Sequence, residues 1–91
     1  MEIKVNKKEV FSEKEIKNIK KFFKEFEKLD STDGLMYECL MDGLKEFIKL
    51  KLSKDNYITD IEIIREYSTG KIVISYREYK NQKCLDKVIY L

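Results

Sequence analysis

Cys39 and Cys84 are the only thiols of this chain, and none of its 91 residues is a histidine that could activate them. A nucleophilic cysteine needs a neighbouring base or a depressed pKa, so both are expected to be packing residues, buried or half-buried and reduced. Without histidine, neither a Ser-His-Asp nor a Cys-His arrangement can form within one subunit. Two cysteines cannot complete a four-ligand zinc site except across a symmetric dimer. The sequence therefore predicts no catalytic residue, no metal ligand and no bound cofactor.

Carboxylates are the next chemistry to weigh. Asp60, Glu62 and Asp86 could meet, and clustered carboxylates can hold Mg²⁺ or act as acid and base. Arg77 falls among them, which favours an ion ladder Glu62–Arg77–Asp86. Asp30-Ser31-Thr32-Asp33-Gly34 is similar to a calcium loop only in composition. Its glycine stands fifth and Met41 twelfth, where such a loop needs glycine sixth and glutamate twelfth, so it is a turn that caps helices.

Lys14, Lys17, Lys21, Lys24 and Lys28 share one arc of a helix and could touch the phosphates of a polyanion. The stripe has no arginine for bidentate contacts and no aromatic for base stacking. Nineteen basic residues nearly cancel seventeen acidic ones, a net of +2. A nucleic-acid partner is therefore the second reading and a solvated helix face the first.

The elements that must carry these residues follow from periodicity. Met1–Val5 alternates as a short strand. Ser12 and Glu15 make a capping box, Phe11 and Ile16 a hydrophobic staple. Ile16, Ile19, Phe22, Phe23, Phe26 and Leu29 then keep helical spacing. A second helix, Leu35 to Leu52, has a wide apolar arc of Met36, Tyr37, Leu40, Met41, Leu44, Phe47 and Ile48. Gly43 inside it predicts close approach by another backbone, so this helix is expected to be sandwiched, either between the sheet and the first helix or against another protein. From Tyr57 the period is two. Tyr57–Tyr67, Lys71–Tyr79 and Cys84–Leu91 read as three strands. Pairing Ile63 with Tyr76, Arg65 with Ile74 and Ile74 with Ile89 gathers Ile61, Ile63, Ile72, Ile74, Tyr76, Leu85, Ile89 and Leu91 on one face. The other face then holds the rows Glu62–Arg77–Asp86, Ile64–Ser75–Val88 and Glu66–Val73–Tyr90.

The expected fold is one α+β domain spanning 1–91, order β-α-α-β-β-β, an antiparallel meander with two helices packed on one face. Where the first strand joins is left open. No apolar region follows Met1-Glu2-Ile3-Lys4 and no run approaches a membrane span, so a cytoplasmic location without a membrane partner is expected. Seventeen lysines against two arginines, with no alanine or proline, mark an AT-rich genome. The expected function is a small, non-enzymatic protein-binding module. An inhibitor of a host nuclease or defence complex, encoded by a phage or mobile element, is its specific form. The expected contact residues are Met41, Ile64, Val73, Val88 and Tyr90, facing another protein or a second copy, with a homodimer favoured over a monomer. The alternative is nucleic-acid binding through the lysine stripe.

Overall fold

Two side-chain caps decide how the chain leaves its first strand. The structure, a computed structural model, describes residues 2–26, 34–54, 56–66 and 68–91. Strand β1 (Glu2–Val5) ends at Asn6, whose Oδ1 accepts the Lys8 N–H at 3.0 Å and starts a one-turn helix, α1 (Lys7–Val10). The sequence reading missed this turn. Ser12 and Glu15 then form the expected capping box. The Ser12 N–H donates to Glu15 Oε1 at 2.9 Å and the Glu15 N–H to Ser12 Oγ at 3.1 Å. They open α2 (Glu13–Phe26), with Phe11 and Ile16 both buried beside the cap.

Helix α3 (Gly34–Leu52) follows, then β2 (Tyr57–Arg65), β3 (Ile72–Lys80) and β4 (Lys83–Tyr90). The fold is α+β, and β2, β3 and β4 form the expected antiparallel meander. The whole sheet is mixed, however. Strand β1 joins the far edge parallel to β4, giving the order β1-β4-β3-β2.

The β3–β4 register is as expected, with Ile74 opposite Ile89 across a two-residue turn. Asn81 and Gln82 form that turn with φ of 52° and 63°, the geometry of a type I′ hairpin, whose twist matches the strands. The β2–β3 register differs from expectation. Ile63 lies opposite Ile74 and Arg65 opposite Ile72, a slip of two residues. A slip of two keeps every side chain on its face. The reason is a longer connection, with the Glu66 N–H bonded to the Lys71 carbonyl outside the strands.

A bulge then changes the face. Asp60 and Ile61 together stand opposite Tyr76, and Asp60 takes a φ of 54°. Beyond it the alternation inverts, so Ile58 is buried and Tyr57 and Thr59 turn outward. Ile58 was therefore missed as a core residue.

The core lies between the helices and one sheet face. Ile16, Ile19 and Phe23 of α2 and Leu44, Ile48 and Leu52 of α3 cover Ile58, Ile63, Ile72, Ile74, Tyr76, Ile89 and Leu91. An ion pair between Lys51 Nζ and Glu15 Oε2, 2.6 Å long, ties the end of α3 to the start of α2. Among the described residues, helix α3 is not sandwiched between the sheet and α2. Leu40 and Phe47 stay partly exposed and Leu50 is 75% exposed. A Cβ on Gly43 would meet nothing within 4 Å, so no backbone approaches it among the described residues. No helix among the described residues is long and apolar enough to cross a membrane. Met1, Lys28, Leu29, the 30–33 turn, Tyr67 and the side chains of Phe26, Met36 and Tyr37 lie outside the description.

Candidate functional site

Both helices pack on one side of the sheet, and the other side is uncovered among the described residues. Its side chains fall in four rows fixed by strand register. Tyr57, Tyr79 and Cys84 make the first. Thr59, Arg77, Asp86 and Glu2 make the second, with Asp60 bulging beside it. Glu62, Ser75, Val88 and Lys4 make the third, and Ile64, Val73 and Tyr90 the fourth. The expected rows are thus corrected by the slip. Ile64 aligns with Val73 and Tyr90, Glu62 with Ser75 and Val88, and Glu66 leaves the sheet.

The outer rows are aromatic and apolar. Tyr57 is 62% exposed, Ile64 54%, and Tyr79 and Tyr90 43% each. The Tyr57 and Tyr79 rings lie 6.3 Å apart, and Lys4 Nζ sits 5.0 Å from the centre of the Tyr90 ring. Val73 is half-buried. Val88, expected as a contact residue, is only 4% exposed and forms floor rather than surface. Met41 is elsewhere, on α3 at the margin of the helix-side core. The structure therefore brings Ile64, Val73 and Tyr90 together and leaves Met41 out.

The inner rows are charged. Arg77 Nε meets Asp86 Oδ1 at 3.0 Å and its Nη1 meets Asp60 Oδ2 at 3.5 Å. The ladder is therefore Asp60–Arg77–Asp86, with Asp60 in place of Glu62, because the bulge swings Asp60 toward the arginine. The bond to Asp86 and that carboxylate's charge raise the Arg77 pKa further. Glu2, Asp60, Glu62 and Asp86 surround Ser75 and Arg77 in a depression of about 200 Å³.

Both cysteines are exposed, contrary to the expected burial. Cys84 faces outward beside Tyr79, and its hydrogen bond raises the Tyr79 pKa. Cys39 lies on the outer side of α3. Lys14, Lys17, Lys21 and Lys24 are all exposed along α2, on the opposite side of the molecule from the open sheet face. Among the described residues no three Cys, Asp or Glu side chains are grouped to hold a metal ion.

Sequence reasoning missed one polar cluster on the helix side. Glu78 is buried there, accepting hydrogen bonds from Asn56 Nδ2 and, at 2.7 Å, from Lys87 Nζ. Burial alone would raise its pKa. The bonds from Lys87 and Asn56 and the Lys87 and Lys80 charges outweigh that and hold it below the ordinary 4.5. Asn56 Oδ1 also accepts the Lys54 N–H at 2.8 Å, so the cluster clamps the α3–β2 connection to β3 and β4. Burial, then the nearby Glu78 charge, pushes the Tyr76 phenol up to about 12. The cleft above the cluster is rimmed by Glu9, Lys51, Lys54 and Lys80. Glu78 falls on the core face by alternation with Ile72, Ile74 and Tyr76, but a lone glutamate at a strand end gives no sign of its partners.

No family model, no curated protein and no solved structure matches this chain.

Proposed function

We propose that this chain is a small non-catalytic module that binds another protein through the uncovered face of its sheet, acting as an inhibitor or adaptor. The observation that carries this reading is the composition of that face. Three exposed tyrosines, Ile64 and an arginine stand on a sheet face that no helix covers among the described residues. Tyrosine and arginine are the residues that anchor protein interfaces, and contiguous apolar surface rimmed by polar groups is typical of a docking site. Among the described residues, four carboxylates on the same face against two cations, Lys4 and Arg77, work against a nucleic-acid backbone stacking on its tyrosines.

The second reading is a polyanion contact through Lys14, Lys17, Lys21 and Lys24. It is favoured by their exposure along one helix. The two readings use opposite sides of the molecule, so one pair of variants separates them. Ile64→Glu with Tyr90→Glu should abolish retention of a partner from host lysate and leave folding intact. Equal retention by wild type and variant overturns the sheet-face reading. Titration with labelled DNA and RNA at two salt concentrations should show no binding that Lys17→Glu with Lys21→Glu removes. Such binding replaces the first reading with the second.

A further inference from the structure

From the pattern of charge on the open sheet face we infer that its partner is a protein presenting a basic surface with apolar residues on both sides. This rests on the sheet-face reading and names the chemistry of what it binds. The rows fall in the order aromatic, acidic, mixed, apolar, the mixed row holding Glu62 at one end and Lys4 at the other. Tyr57 and Tyr79 stand at one end, Ile64 and Tyr90 at the other. Between them lies the depression of about 200 Å³, lined by four carboxylates, Ser75 and two cations, Arg77 and Lys87.

Arg77 already engages Asp60 and Asp86. Glu2 and Glu62 have no ion pair among the described residues. They stand on opposite edges of the sheet, on β1 and β2 with β4 and β3 between, so a lysine or arginine side chain reaching either one would meet uncompensated charge, while its neighbours rest on tyrosine and isoleucine. The Lys4 ammonium over the Tyr90 ring shows that this aromatic already accepts a cation. Basic surfaces of this kind belong to proteins that bind nucleic acid.

The same charges argue against a second copy. Two of these faces brought together would oppose carboxylate to carboxylate, and like charges juxtaposed at an interface are repulsive. The lysine stripe of another molecule would supply the charge but holds no apolar residue to fill the tyrosine and isoleucine rows.

The test uses ¹⁵N-labelled protein and two ten-residue peptides with identical leucine and phenylalanine anchors. One peptide has an Arg-Lys-Arg centre and the other Glu-Asp-Glu. The basic peptide should shift the amide signals of Glu62, Ser75, Val88 and Tyr90, and the acidic peptide none of them. Glu62→Lys and, separately, Glu2→Lys should each weaken the basic peptide at least tenfold, with the native spectrum retained. Equal binding of both peptides at this face overturns the charge assignment and leaves the sheet-face reading standing. Shifts confined to the helix side, or none at millimolar peptide, overturn the inference. A concentration-dependent dimer in sedimentation whose signals map to Tyr90 and Ile64 overturns it in favour of a second copy.

Discussion

Glu78 shows how one residue couples the core to pH. Its carboxyl titrates below the ordinary 4.5 in the folded chain. The folded state therefore binds its proton less tightly than the unfolded state does. The resulting stability is present above about pH 4.5 and is lost as pH falls through the folded value. Urea midpoints measured from pH 7 to pH 3 should fall, and Glu78→Gln should flatten that limb. Tyr76 supplies the opposite limb. Its phenol is pushed up to about 12 from 10, so its stability is intact below pH 10 and lost as pH rises toward 12. Tyr76→Phe should remove that loss. Removing Lys87 alone leaves Glu78 buried with only Asn56 and the Lys80 charge to offset its own. Lys87→Met should cost about 2–4 kcal/mol, and adding Glu78→Gln should restore part of it. The Ser12/Glu15 box was legible in the sequence because all its partners lie within three residues. The Glu78 cluster was not, because Asn56 is brought to it by the β2–β3 pairing beyond an unforeseen slip and bulge, and Lys87 reaches it diagonally from β4.

Helices and turns carry their own tests. Ser12→Ala should cost about 0.5–2 kcal/mol by removing the cap of α2, measured as a shift in denaturation midpoint. Gly43 sits in the interior of α3 with open space where a Cβ would be, so Gly43→Ala should stabilise by about 1 kcal/mol. Had the helix been sandwiched, as its wide apolar arc predicted, the same change would destabilise. At the β3–β4 turn, Gln82 holds a φ of 63° that suits glycine better, and Gln82→Gly should raise the midpoint. Hairpin register was readable where the turn is two residues long and burial fixed the parity. It slipped at 66–71, where several loop lengths preserve the same faces. The bulge at Asp60 was invisible because aspartate, unlike glycine, does not announce a left-handed backbone.

The whole molecule is closed by its most distant contact, β1 against β4. This edge strand has four residues, three of them exposed, and joins only after the last strand has formed. Sub-global openings take such elements from the low end of the stability range. Native-state hydrogen exchange should show the amides of Ile3 and Val5 released well before those of Ile74 and Ile89. Equal protection would mean that β1 belongs to the cooperative centre. Sequence periodicity identified β1 as a strand but carried no information on its neighbour, because parallel pairing leaves no hairpin turn to read.

The bulge at Asp60 and Ile61 makes the chain sensitive to length rather than to identity. Point substitutions along β2 change one side chain each. Loss of a single codon at this spot would straighten the strand and turn everything before it over, sending Tyr57 and Thr59 inward and Ile58 out. The open face would lose an aromatic and the core an isoleucine in one genetic event. The spacing between Ile58 and Ile63 therefore matters more to this fold than the residue types at 59–62.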